Sequence, residues 1–248
     1  MDIYVKHYKE GPFGILEFGN PAGNSLRSNS LKELQKQLLA LEEDDQVRVI
    51  ILQSGGSRAF CGGASFAEMK ELKDLRQATQ FFMGFAHIIN TLRGISKFVI
   101  ARIQGKVVGG GVGLVAACDY AIAAKSASIK LSELSIGIGP YVIEPVVSRK
   151  IGTTAFSQLS LDAENWKNTD WSFNKGLFAH VVENENELNR KVDQIAKRIS
   201  TYSPNAVKNL KKLHWKDTNH WEDLLPKNAG ITARLLLEEA TQKILKNL

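Results

Sequence analysis

Val107-Val108-Gly109-Gly110-Gly111-Val112-Gly113-Leu114-Val115-Ala116-Ala117-Cys118-Asp119 is the stretch that decides the fold. Two β-branched residues end a strand-like run. A glycine triplet follows, and then a small-residue apolar stretch at 110–118 that reads as a short helix packed closely on its neighbours. Backbone without side chains lets another group approach main-chain N–H donors. Donors at a helix start lack internal partners and favour negative charge. Ala59-Phe60-Cys61-Gly62-Gly63-Ala64 has the same layout: a strand-like run, small residues, then a helical pattern. Two such donors converging on one oxygen would form an oxyanion hole.

Outward from the triplet, residues 98–103 and 47–52 are apolar and β-branched, as in buried parallel strands. Residues 13–18, 120–124 and 129–131 also read as strands. Leu31, Leu34, Leu38 and Leu41 recur at helical spacing, and Ser30 with Glu33 matches a capping box. A second box, Ser65 with Glu68, predicts one long helix reaching about Arg93. Strand, helix and strand in alternation predict an α/β fold with right-handed crossovers. Beyond Gly152 the pattern turns helical, over 153–161, 186–201, 204–215 and 229–248, with a short strand near 180–182. Trp166, Trp171, Trp215 and Trp221 all fall there and are expected mainly in the core.

Several further residues share this order: Asn24-Ser25-Leu26, Arg58-Ala59-Phe60 with Gly63-Ala64 and Glu68-Met69, Gly109-Gly110-Gly111, Cys118-Asp119, Ser132-Glu133 and Gly176-Leu177. Together they resemble the crotonase superfamily, the enoyl-CoA hydratase/isomerase family, from about Asn24 to the end. The resemblance implies a spiral of ββα turns, placed at 1–200, and a helical C-terminal oligomerisation region at 201–248. It implies a homotrimer or dimer of trimers acting on an acyl-CoA thioester. The backbone N–H groups of Ala64 and Gly110 would bind the thioester oxygen, and Arg58, Gly62 and Ala64 would contact coenzyme A. Typical hydratases in the family carry two catalytic glutamates, whose positions here are 113 and 133. Glu133 is present, whereas position 113 is glycine.

That vacancy shifts the expected chemistry. One carboxylate can move a proton along an allylic system, whereas hydration must both orient water and deliver a proton. Apolar neighbours Leu131, Leu134, Ile136 and Ile138 would raise the Glu133 pKa towards the range useful for proton transfer. Glu144 is a candidate for the missing acid, although an acid just before Pro145 also suits a helix start. In the family, 137–145 lines the acyl pocket. Tyr141, Val142 and Ile143 make it bulky here and predict a reshaped, shorter pocket.

Two other readings compete. Gly111-Val112-Gly113-Leu114-Val115-Ala116 fits a dinucleotide-binding fingerprint, with Glu133 near the ribose-binding position, which would suit a nucleotide-dependent oxidoreductase. Against it, Asp119 and a separate strand at 120–124 interrupt the path to Glu133. The net charge of +6 suits an anionic ligand such as coenzyme A, and equally nucleic acid. Much of it lies between Arg190 and Lys216, which is first read as a solvated helical face and otherwise fits a non-catalytic or RNA-binding homologue. Asp119 reads as a structural acceptor of backbone hydrogen bonds. The five histidines show no metal-ligand spacing, so neither a metal nor a redox cofactor is expected. Two cysteines, an N-terminus without a signal-peptide layout and no run of about 18 apolar residues predict a cytoplasmic protein without a membrane span.

Overall fold

The computed structural model describes residues 3–247. β1 (Tyr4–Glu10) and β2 (Phe13–Gly19) form an antiparallel hairpin, followed by α1 (Ser28–Glu43). Three turns of one plan come next. The first holds β3 (Val49–Ser54), β4 (Ala59–Cys61), α2 (Phe66–Met69) and α3 (Leu75–Gly94). The second holds β5 (Phe98–Ile103), β6 (Lys106–Val108) and α4 (Gly110–Ala117). The third holds β7 (Tyr120–Ala124), β8 (Ser128–Lys130) and a 3-10 turn at Leu134–Ile136, then runs into α5 (Glu144–Ile151) and α6 (Thr153–Leu161). β9 (Lys167–Asn168), α7 (Thr169–Asn174) and β10 (His180–Val182) precede four closing helices. These are α8 (Glu185–Ser200), α9 (Pro204–His214), α10 (Trp221–Leu236) and α11 (Glu239–Lys246).

Each turn sends one strand to each of two sheets. The long sheet runs β1-β2-β3-β5-β7-β10 and is parallel apart from its β1 edge. The short sheet runs β4-β6-β8-β9, with β4, β6 and β8 parallel. All six residues of β5 are buried, as expected for a central strand covered on both faces. The expected α/β spiral is therefore the observed architecture. α8 closes one face of the long sheet through Leu188, Val192, Ile195 and Ala196. On the other face lies the main core. Residues beyond 200, including Trp215, Trp221, Leu225, Ala229 and Leu236, belong to that same core, so they share the apolar interior of the spiral.

Local details depart from the sequence reading, each for a physical reason. Ser30 does not cap α1. It is buried inside the helix, whose N-cap is Arg27. Glu68 instead accepts from the Ser28 backbone N–H at 2.9 Å and from the Ser28 hydroxyl, so a carboxylate from α2 serves the start of α1. Ser65 does cap α2, but α2 lasts a single turn. A new N-cap, Asp74, accepts from the Gln77 N–H at 2.8 Å and opens α3. The last predicted helix is two, α10 and α11, and α10 begins earlier, at Trp221. Met1, Asp2 and Leu248 of the predicted terminal segments lie outside the described residues. Trp166 is exposed rather than in the core, with Lys106 and Lys130 Nζ 4.8 and 5.0 Å from its ring centroid.

The basic segment is not uniformly solvated. Lys211 is buried, its side chain 1% exposed, and pairs with the 8% exposed Asp119 at 2.8 Å. Asp119 also accepts from the Val99 N–H at 2.8 Å, and Lys211 donates to the Lys97 carbonyl at 2.7 Å. This pair fastens α9 to the end of the α4 turn. The expected structural role of Asp119 is thus visible, with a cationic partner in addition. No helix among the described residues is long and apolar enough to cross a membrane.

Candidate active site

The short sheet explains the site. Its parallel strands β4, β6 and β8 are neighbours, and all three release their chains at the same edge. Residues 62–64 leave β4, residues 109–110 leave β6 and residues 132–133 leave β8. Segments far apart in sequence therefore meet in one cleft, at the carboxyl ends of adjacent parallel strands. The cleft is lined by Gly62, Gly63, Ala64, Gly109, Gly110 and Glu133 together with apolar side chains.

The two glycine segments touch. A Cβ on Gly63, which has φ +78°, would meet the Val108 carbonyl at 2.7 Å and the Gly110 nitrogen at 3.4 Å. Gly110 opens α4, so its N–H has no intrahelical acceptor. On the β4 side, the Leu26 N–H donates to Gly63 at 2.7 Å and the Ser65 N–H donates to Leu26 at 3.0 Å. The N–H of Ala64, between them, therefore faces away from Leu26, as extended backbone alternates. Gly110 leaves no room for a side chain, because a Cβ there would lie 2.8 Å from Phe85 Cδ1.

Glu133 caps the 3-10 turn, and its carbonyl accepts from Ile136 and Ile138 N–H at 3.2 and 3.0 Å. The backbone is thus pinned at the carbonyl that follows the side chain. Gly137, in left-handed conformation at φ 84°, reverses the chain, and the Thr241 hydroxyl of α11 donates to its carbonyl at 3.0 Å. The residue as a whole keeps some surface, but Oε2 is buried and has no hydrogen-bond partner within the described residues. Burial among apolar groups raises its pKa to about 7, against a small opposing effect from its own backbone N–H. Glu133 is the only ionisable side chain lining the cleft, among the described residues.

Position 113 is filled from elsewhere. A Cβ on Gly113 would overlap the Ile143 side chain, with Ile143 Cβ 2.6 Å away. Ile143 and Val142 line the cleft, whereas Glu144 does not. Glu144 opens α5, half-buried, with its N–H bonded to the Pro140 carbonyl at 2.9 Å. Tyr141 is exposed and outside the cleft, and its carbonyl accepts from Asn228 of α10 at 2.8 Å. The Arg58 side chain is exposed and also outside the cleft lining.

Sequence reading missed most of the apolar wall. Phe66 and Met69 come from α2, Phe82 and Phe85 from α3, and Thr232 from α10. Phe82, Phe85 and Met69 carry a core-like signal in sequence, and only the tertiary paths of α2 and α3 show that they line the cleft. The dinucleotide reading meets an obstacle here. Its helix should lead to the next strand of the same sheet, but α4 leads to β7 of the long sheet. Gly111 and Gly113 are packed against Cys61 and Ile143 rather than open to a ligand. Both cysteines are buried and free, and no cluster of metal-binding side chains occurs among the described residues.

Comparison with known proteins agrees with this fold. The enoyl-CoA hydratase/isomerase family profile matches residues 12–243. A short-chain-enoyl-CoA hydratase of Clostridium acetobutylicum is 33% identical over 202 residues, covering 81% of this chain and 76% of that protein. A crotonyl-CoA hydratase of Syntrophomonas wolfei is 31% identical over 202 residues, covering 81% and 76%. The crystal structure of an enoyl-CoA hydratase from Bacillus halodurans superposes with a TM-score of 0.92 over 99% of this chain and 100% of that one. At 21% identity, that structure speaks to the fold alone.

Proposed function

The chain belongs to the enoyl-CoA hydratase/isomerase family and is an acyl-CoA-processing enzyme of that type, and from that premise we propose that it shifts the double bond of an enoyl-CoA thioester by single-carboxylate proton transfer. The backbone N–H groups of Ala64 and Gly110 bind the thioester oxygen. Gly62 and Ala64 lie along the coenzyme A approach, with Arg58 outside the cleft as a surface contact to its phosphates. Glu133 is the acid and base. Glu144 is a helix-start acid and takes no part.

The observation that carries this reading is Glu133, the single ionisable group lining the cleft among the described residues, with its pKa raised to about 7. A carboxylate of that pKa can both accept and return a proton at neutral pH. It removes a proton from C2 of a 3-enoyl thioester. The electron pair moves to the thioester oxygen, where two N–H donors and the positive end of α4 stabilise it. The same carboxyl then delivers the proton to C4, and the double bond comes to rest between C2 and C3. No metal or redox cofactor is needed, since charge is held by backbone donors and the proton by Glu133. Coenzyme A enters as part of the substrate.

A second reading, an atypical hydratase using Glu133 alone, is favoured by the relatives, which are named as hydratases. Rates of the two reactions decide between them. Double-bond migration of a short 3-enoyl-CoA should outpace hydration of the corresponding trans-2-enoyl-CoA. Faster hydration would replace the isomerase reading with the hydratase one. We also propose a homotrimer or dimer of trimers in the cytoplasm. Light scattering that finds a stable monomer at micromolar concentration would contradict the oligomer.

A further inference from the structure

Gly113 lies three residues after Gly110 on α4, and residues at that spacing share a helix face. A side chain at 113 would therefore stand on the same side as the oxyanion donor. That space is taken by Ile143, the residue just before α5, which is 2% exposed. Its Cβ and Cγ2 both lie within the volume that a Cβ at 113 would occupy. Ile143 lines the cleft as well, so its side chain spans from the helix backbone to the substrate space.

The contact is held from both ends. Beyond Ile143, α5 packs Val146 and Val147 into the core. Lys150, near its far end, donates to the Cys118 carbonyl at 3.0 Å, where α4 stops. α5 therefore lies along α4, with Ile143 at one end and Lys150 at the other. The wall beside the glycine turn becomes apolar, with Val142, Ile143, Ile136 and Ile138 around it. These side chains offer a water molecule no hydrogen-bond partner on that wall.

We infer that Ile143 is the residue that determines which reaction the site performs. This rests on the single-carboxylate reading above and extends it: Gly113 and Ile143 act as a pair that keeps water from the thioester. Isomerisation consumes no water, because the proton that leaves C2 returns at C4. Hydration requires a water whose oxygen bonds to C3 while a proton reaches C2. Truncating Ile143 opens a space against Gly113, next to the half-buried start of α4, in which such a water can sit.

The test compares two variants with the unaltered enzyme. Ile143→Ala removes the plug. Ile143→Thr keeps the branched shape and adds a hydroxyl that can hold water, so it remains informative if the alanine variant folds poorly. Isomerisation of a 3-enoyl-CoA and hydration of the trans-2-enoyl-CoA are measured on each preparation. The ratio of hydration to isomerisation should rise in Ile143→Ala, and by about tenfold in Ile143→Thr, the return on one hydrogen bond gained in the transition state. A folded variant with an unchanged ratio overturns the role of Ile143 and leaves the single-carboxylate reading standing. An unaltered enzyme that performs neither reaction, or hydrates faster than it isomerises, overturns that reading and this inference with it.

Discussion

A Cβ placed on Gly109 would lie 2.9 Å from Oε1 of Glu133, so the carboxyl rests directly against the backbone that leads into α4. Gly109 holds φ +53° and ψ −123°, a conformation essentially reserved for glycine. It also donates its N–H to the Lys130 carbonyl at 2.9 Å, which ties the β6 exit to the β8 exit. The Glu133 carboxyl and the proposed oxyanion donor are thereby set beside one another by one residue that can have no side chain.

Gly109→Ala should therefore suffer twice. The strained backbone should lower stability by about 1–3 kcal/mol. The displaced carboxyl should lower turnover beyond what that loss explains. Thermal melting and turnover measured on the same sample separate the two effects. A variant with normal kcat would show that the Gly109–Glu133 contact has no bearing on catalysis.

Glu133 links stability to pH. Its pKa is raised from 4.5 to about 7, so the folded protein favours the protonated form. This contribution is fully present below about pH 4.5 and is lost as pH rises through about 7, amounting to roughly 3 kcal/mol at most. Glu133→Gln removes the penalty. The variant should gain stability over the unaltered protein at pH 8 and little or none at pH 4.5, as read from denaturant midpoints. An equal difference at both pH values would mean that the carboxyl is not desolvated.

Glu144→Gln should cost about 0.3–1 kcal/mol through its place at the start of α5 and leave turnover nearly unchanged. Selective loss of hydration in this variant would restore Glu144 as a catalytic group.

The buried Lys211–Asp119 pair makes a prediction away from the cleft. Lys211→Met should destabilise by about 3–5 kcal/mol, because it strands a buried carboxylate. Adding Asp119→Asn should recover part of that loss. Chemical denaturation of the single and double variants measures the coupling, and strict additivity would mean that the pair does not act as a unit.

What the sequence revealed and what it hid follow from the range of the interactions. Strands 98–103 and 120–124 were legible because a buried parallel strand is apolar along most of its length, Arg102 being the charged exception in the first. The glycine turns were legible because only glycine tolerates such close backbone approaches. Glu133 stood out only through its spacing from the triplet. The Ser30 cap failed because local pattern cannot foresee a distant carboxylate, Glu68, taking over the helix start. Lys211 looked like part of a solvated run, since its partner Asp119 is 92 residues away. The same limit hid Ile143. Gly113 reads as an empty position in sequence, and only the packing of α5 on α4 shows it filled.

Turnover of a 3-enoyl-CoA by Glu133→Gln, measured together with acyl-CoA affinity, tests the central claim most directly. Glutamine keeps the shape of the side chain and removes the ionisable carboxyl. Affinity should stay within a few fold, and kcat should fall by about 10²–10⁴. A kcat equal to that of the unaltered enzyme would remove Glu133 from the chemistry and contradict the account.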